Sequence, residues 1–393
     1  MTKKAVRPLP GYLYSLDILR GLAALAIVFF HWRHFFYTCR TADGFRPAAQ
    51  PLYRIFGFFY EQGDQAVDFF FSLSGFIFFW LYADRIRSRE TSFRTFVILR
   101  ISRLYPLHLI TLLLVLILQL IYVSRTGCFL IYPANDLYHF ILHLFFASNW
   151  GIQEAFSFNG PVWSVSVEVF LYLLFFAVCR SRLDSRVMLV FLALAGFAAY
   201  NRLGWSVGQG MLSFFAGGLT FRLFRAILNR FKRRLPVPEL AVLTLLAWII
   251  GLTVKPLPFD LAQAPFLPGL PPAVFSKLKF LQEVSGSLYT KVILFPLTIL
   301  FLALWEKRSG IDFRKPAILG HLSYASYLLH FPLQFLSILF FRKTDGTNDL
   351  FTAPWFLFLF FLVLIGLSLL SYRFIETPLQ NRIRQKFLSP NPK

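Results

Sequence analysis

Apolar residues run through this chain in long stretches, and short basic or proline-rich segments divide them. Ten stretches stand out: 13–36, 65–83, 103–124, 163–179, 187–201, 208–225, 239–255, 291–305, 318–341 and 354–373. Most reach or approach the ~20 residues that a helix needs to cross a hydrocarbon core. A bilayer offers no partner to backbone N–H and C=O groups, so such stretches predict helices. The pattern therefore predicts an all-α polytopic membrane protein with about ten transmembrane helices. An even number places both termini on one side. The segments on that side hold more than twice the Lys and Arg of the other, so both termini are expected in the cytosol. Residues 1–12 form a cytosolic N-terminal segment, 13–379 the transmembrane domain, and 380–393 a basic tail that anchors the last span at the inner leaflet. Residues 137–149 (LYHFILHLFFASN) are too short and interrupted for a span and are expected to lie in the outer interface. The outer loop from Pro256 to about Thr290 carries six prolines before Lys277 and reads as coil.

Composition supports this picture. The chain is 57% hydrophobic and 15% charged, with mean hydropathy +0.60, whereas soluble domains hold about 25% charged residues. A net charge of +21 could suggest nucleic acid. The basic residues, however, lie between the apolar stretches, so they report orientation and no nucleic-acid partner is expected. The start, MTKKAVRP and then an apolar stretch, imitates a secretory signal. That stretch is too long for a signal core and no small-residue cleavage site follows it, so it reads as a retained first span. Of the three cysteines, Cys39 and Cys128 both fall on the outer side and are candidates for a disulfide.

The informative residues are the polar ones inside these apolar stretches, because ionisable groups in a bilayer are costly and usually mark a pathway or a site. The first span, YSLDILRGLAALAIVFFHWRHFF, holds Arg20 and His31. Eleven residues make about three turns plus 20°, so on a straight helix both lie on one face, roughly 16 Å apart. Asp17, one turn before Arg20, is its natural partner. In the second span, DFFFSLSGFIFF offers Asp68, Ser74 and Gly75; Ser and Gly there also suit close helix packing. Before the third span, FRTFVILRISRLYPLHL places Arg100 and Arg103 beside Pro106, a residue favoured in a helix's first turn. Two guanidinium groups at a helix N-terminus suit phosphate.

The fourth span opens with FNGPVWSVSVEVFLYL, which puts Glu168 about two turns in from the outer side, at the depth of His31. A carboxylate that orients a histidine is a recurring base arrangement. In the ninth span, GHLSYASYLLHFPLQF places Ser323, Tyr327 and His330 on one face. Pro332 cannot donate to the carbonyl of Leu328, which leaves a free acceptor. His139 and His143 have the spacing of a metal pair, but no acidic residue or third ligand is seen with them, and no metal is expected.

Six motifs, in order, resemble the acyltransferase 3 family of integral membrane proteins: LDILRG with ten residues between Arg20 and His31, DFFFSLSGFIFF, RISRLYP, WSVSVEVFLY, LSYASYLLHFPL and FIETPLQ. The resemblance runs from about residue 14 to 380. It implies a membrane O-acyltransferase that moves an acyl group, usually acetyl, from cytosolic acyl-CoA to a hydroxyl on the outer side. The acceptor would be a surface or lipid-linked glycan, and the location the bacterial inner membrane. His31 would act as general base with Glu168 and Arg20 as further catalytic residues; a transient acyl-histidine remains an open alternative. Arg100 and Arg103 would hold the CoA phosphates. Asp17, Asp68, Ser74, Trp163, Tyr327 and His330 would serve the substrate or support the catalytic groups. Acyl-CoA, acetyl-CoA in the usual case, is then a donor substrate, with no permanently bound cofactor. A reading from another class is a transporter or flippase for an anionic or lipid-linked glycan. Transporters often show two related halves with matching broken helices, and only one Pro-interrupted span is evident here.

Overall fold

The computed structural model describes residues 11–42, 45–231, 235–254, 286–311, 316–342 and 349–388, and among these the chain is helical with no strand. All ten apolar stretches fall on helices. Eight helices are long and apolar enough to cross a membrane, and two shorter apolar ones accompany them, Gln65–Leu81 and Val237–Thr253. The proline-rich loop expected after Pro256 lies outside the described residues for nearly all its length.

The first span is helix α1 (Tyr14–Phe30), which tightens into a 3-10 turn over His31–Phe36. Its N-terminal backbone groups are capped from another part of the chain: the Glu306 carboxylate accepts from the N–H of Tyr14 at 2.9 Å and of Ser15 at 2.8 Å. Helices α2 (Tyr53–Gln62) and α3 (Gln65–Leu81) follow, then the short α4 (Ala83–Arg87).

Helix α5 runs over Phe93–Thr126, starting ten residues before the apolar stretch. Its 34 residues span about 51 Å, well beyond a hydrocarbon core. Ser92 sets the start by accepting from the N–H of Thr95 at 3.1 Å, and Gly127 ends it with φ 77°. This corrects the expectation for Pro106, which sits inside α5 and not in its first turn. Arg100 and Arg103 are therefore about two turns into a continuous helix, where backbone N–H groups already have partners. Any anion there is held by side chains.

Helix α6 (Leu137–Leu144) has eight residues, about 12 Å, so it does not cross a membrane. Its apolar residues Leu137, Tyr138 and Ile141 are exposed while His139 and His143 are buried. The reading that no acidic residue accompanies this histidine pair is corrected: Asp136 accepts from His139 Nδ1 at 2.8 Å, while His143 Nε2 pairs with Ser157 Oγ at 3.0 Å. The remaining helices are α7 (Trp163–Arg180), α8 (Arg186–Leu203), α9 (Ser206–Arg230) and α10 (Val237–Val254). After a π-turn at Tyr289–Leu294 come α11 (Phe295–Ser309), α12 (Ile318–Phe341), α13 (Asp349–Thr352) and α14 (Pro354–Ser371). A second π-turn at Tyr372–Glu376 leads into α15 (Thr377–Leu388).

Two helix crossings position the polar residues, and in each a pair of glycines permits the approach. Where α1 meets α12, a Cβ on Gly21 would strike Leu319 and one on Gly320 would strike Asp17. Where α3 meets α9, a Cβ on Gly75 would run into the carbonyl of Phe214 and one on Gly217 into that of Ser72. Lipid tails are as apolar as leucine, so such crossings rest on backbone proximity and polar contacts more than on hydrophobic burial. A disulfide between Cys39 and Cys128 ties the segment after α1 to the end of α5, with Cα atoms 5.7 Å apart.

Candidate active site

The α1–α12 crossing lets Arg20 reach across to the facing helix. Its Nη2 donates to Gly320 O at 2.6 Å, its Nε to Ser323 Oγ at 3.1 Å, and Asp17 pairs with Nη2 at 2.9 Å. Two of its three nitrogens are thus committed to structure, and Nη1 has no partner among the described residues. Arg20 lines a cavity of about 120 Å³ together with Arg100, Arg103, Glu168, Ser74 and Tyr327. Six residues singled out from five separate sequence motifs therefore converge on one space.

Inside that space the charges are unevenly satisfied. Glu168 accepts a hydrogen bond from Ser74 Oγ. Arg100 donates to Tyr82 OH at 2.5 Å, with its guanidinium 5.2 Å from the centre of the Phe78 ring. Arg103 has neither a hydrogen bond nor an ion pair among the described residues, although it faces the cavity. The C-terminal helix adds another cation to this turn of α5: Arg384 Nε donates to Ser102 Oγ at 3.2 Å and Nη2 to Leu99 O at 3.3 Å. Three lining guanidiniums against one carboxylate leave a site that favours an anion.

His31 stands at the far end of α1, where the helix tightens. Its Nδ1 is 2.9 Å from Nε2 of His330, and the two rings lie nearly parallel with centres 5.0 Å apart. One proton lies between these nitrogens. Whichever way it is shared at rest, a His31 that gains a proton on Nε2 must donate from Nδ1, and His330 Nε2 is the acceptor. The other nitrogen of His330 is buried without a hydrogen-bond partner and turned toward carbonyls of its own helix. Gln334 fixes the neighbourhood: its amide donates to His31 O at 3.0 Å, and its oxygen pairs with His34 Nδ1 at 3.1 Å. The His34 ring stacks 4.7 Å from that of His31.

This pairing differs from the expected one. Glu168 is not the group bonded to His31; His330 takes that place, and Glu168 turns to Ser74. The cause is the 3-10 turn, which swings the His31 ring onto the face of α12 that also holds Ser323. Arg20 and His31 do share a face in the sense that matters, since both contact α12, at Gly320 and Ser323 and at His330.

Tyr327 joins the two halves of the site. It lines the cavity, its hydroxyl is 2.7 Å from Ser164 Oγ and bonded to the carbonyl of Pro161, and its ring centre is 5.8 Å from that of His330. Pro332 leaves the carbonyl of Leu328 without its helical donor, and Asn159 Nδ2 fills the vacancy at 3.0 Å. The Asn159–Pro161 turn thereby braces the kinked helix at the histidine pair.

Two of the candidate residues lie elsewhere. Asp68 is buried at the α3–α9 crossing, 3.4 Å from Lys291 Nζ, and accepts from Gln209 at 3.2 Å and Ser213 at 3.1 Å. Trp163 opens α7 with its ring 6.3 Å from Phe71 and does not line the cavity. His34, Gln334, Ser164 and Lys291 are missing from the sequence-based set. The HWRH spacing and the glutamine four residues past His330 were the available signals for the first two.

A family model described as an acyltransferase domain matches residues 13–373, nearly the whole chain. No curated protein and no solved structure matches it. Five of the six motifs that resembled that family supply the polar lining and the histidine pair described above, and the apolar helices make this an integral membrane protein. The chain belongs to the acyltransferase 3 family.

Proposed function

We propose that the protein is an O-acyltransferase of the bacterial inner membrane, moving an acyl group from cytosolic acyl-CoA to a hydroxyl of a surface or lipid-linked glycan on the outer side. Acetyl is the simplest donor group. The observation that carries this reading is the division of the site by Tyr327 into a cationic cavity and a histidine pair. The disulfide supports the orientation, since Cys39 and Cys128 belong in an oxidising compartment. The excess of basic residues on the opposite side supports it independently.

In this reading Arg103, the unpaired lining cation, and Arg100 hold the donor's phosphates, while Glu168 balances the cavity's charge before the donor arrives. The thioester end reaches past Tyr327 toward His31. His31 Nε2 takes the proton of the acceptor hydroxyl as its oxygen attacks the thioester carbon. The positive charge formed on His31 is shared through Nδ1 with His330. Arg20, which lines the cavity on the same side of α12 as His31 but about three turns away, helps to place the donor between the phosphate site and the histidine pair. Collapse breaks the C–S bond, and the proton held by His31 passes to the departing thiolate, giving an ester and CoA.

The test uses membrane vesicles carrying wild-type or His31→Ala protein and acetyl-CoA labelled in the acetyl group. Label should enter the glycan or lipid-linked glycan fraction with wild type only. Retained transfer in His31→Ala removes that residue from the mechanism. Glycan movement without acyl-CoA, untouched by His31→Ala, replaces the enzyme with a transporter.

A further inference from the structure

The outer mouth of the histidine pair holds a cation that the transfer chemistry does not use. Arg33 follows His31 by two residues and folds back over Phe30. Its Nε donates to Phe30 O at 3.1 Å, and its guanidinium carbon stands 3.8 Å from the centre of the Phe30 ring. That ring lies 5.3 Å from the His31 ring. The guanidinium is therefore fixed in direction, yet its two terminal nitrogens have no hydrogen bond and no carboxylate partner among the described residues. Its charge is close enough to act on His31, His34 and Tyr132.

Tyr132 comes from the loop after α5 and closes the other side, with its ring 6.0 Å from His34 and 5.3 Å from Phe331. Its hydroxyl also lacks a partner among the described residues, as does His31 Nε2. None of these three polar groups belongs to the fully buried, unpartnered atoms of the protein. A cation, a phenol and an imidazole, each only partly buried, thus stand around the histidine pair with aromatic rings beside them. Aromatic faces suit sugar rings, and an unpaired guanidinium suits a carboxylate or phosphate.

We propose that this mouth is the acceptor subsite and that Arg33 recognises an anionic group carried by the acceptor close to the hydroxyl that is acylated. The inference rests on the acyltransferase reading and narrows its acceptor to an acidic glycan or a sugar phosphate. Arg33 binds the anion, Tyr132 hydrogen-bonds to the sugar, and the hydroxyl is presented to His31 Nε2. Neutral sugars lack the group that would neutralise Arg33.

The experiment measures carbethoxylation of His31 by diethyl pyrocarbonate, read by peptide mass spectrometry, in full-length protein in phosphatidylcholine vesicles without acyl donor. The probes are methyl glucuronide, glucose 1-phosphate and neutral methyl glucoside. Protection of His31 by a charged probe and not by the glucoside is expected; which charged probe protects distinguishes carboxylate from phosphate. Arg33→Gln should weaken that protection about tenfold, and Arg33→Lys should keep part of it. The basal reaction rate of His31 in each variant reports whether the site is intact. Equal protection by neutral and charged sugars, no protection by any probe, or protection unchanged in Arg33→Gln overturns the proposal. So does protection that follows added phosphatidylglycerol instead of sugar, which makes Arg33 a lipid contact. Because no acyl transfer is read, failure here is separate from failure of label transfer in the vesicle assay.

Discussion

The two glycine crossings resemble each other in construction and differ in what they leave unsatisfied. Both bury a charge pair: Arg20 with Asp17 at the α1–α12 crossing, and Asp68 with Lys291 at the α3–α9 crossing. Asp68 is saturated, since Lys291, Gln209 and Ser213 all surround it. Beside Arg20, by contrast, Arg103 has no partner among the described residues and faces a cavity, and about three turns further along α1 the Nε2 of His31 has none either. A buried charge in a membrane thus has two uses. Where every valence is filled it locks helices together; where valences face open space it can meet a substrate.

The sharpest way to break this comparison is to neutralise the carboxylate that lines the cavity and the carboxylate of the saturated crossing. Glu168→Gln, which removes the carboxylate that balances the cavity's cations, should lower acyl transfer by about tenfold or more while the protein's melting temperature changes little. Asp68→Asn should do the reverse. Removing one partner of a buried pair costs about 3–5 kcal/mol, so yield and melting temperature fall while activity per folded molecule persists. The double variant Asp68→Asn/Lys291→Met should recover most of the stability, because it removes the unpaired ammonium along with the carboxylate. Thermal unfolding in detergent and label transfer in vesicles measure the two effects separately. Equal loss of activity from both single variants would erase the distinction.

The disulfide gives the next effect in size and tests a third kind of constraint. Cys39 and Cys128 hold the turn carrying His31 and Arg33 to the end of the helix that carries Arg103. The variant Cys39→Ser/Cys128→Ser should lose about 2–5 kcal/mol of stability, seen as a lower melting temperature that reductant no longer changes. Wild-type protein should show the same drop when reduced. If reduction leaves wild type unaltered, the bond is absent in the cell.

How much of this was legible in the sequence follows the same division. The helices were legible because a bilayer forces long apolar stretches into them. Arg20, His31, Glu168, Arg103 and Tyr327 were legible as exceptions within those stretches. Their pairing was not, because it depends on contacts between residues some 300 positions apart, such as His31 with His330. Glu168 was assigned to His31 on depth alone, and depth does not say which face of which helix meets which. Pro106 was misplaced because a Ser92 cap and the packing of α15 extend α5 past the apolar stretch. Lys291 drew no notice at the edge of a span, where a lysine ordinarily reaches water.

The smallest effect lies outside the membrane and completes the contrast, because there water competes for every charge. Asp136 caps α6 by accepting from the backbone N–H of His139 at 2.9 Å and from its ring Nδ1 at 2.8 Å. Those donors hold its carboxyl below the ordinary aspartate range. A carboxyl whose folded value is lowered contributes stability above its unfolded value, near about pH 4, and that contribution is lost as pH falls through the folded value. The side chain is 57% exposed, so solvent screening keeps the term small, within about 1 kcal/mol for the cap as a whole. Asp136→Ala should lose that amount in melting experiments at neutral pH. Asp136→Asn should lose less, since Asn caps nearly as well, and should remove this carboxyl's share of the decline below about pH 4. A decline identical in Asp136→Asn and wild type would mean that the acid sensitivity comes from another group.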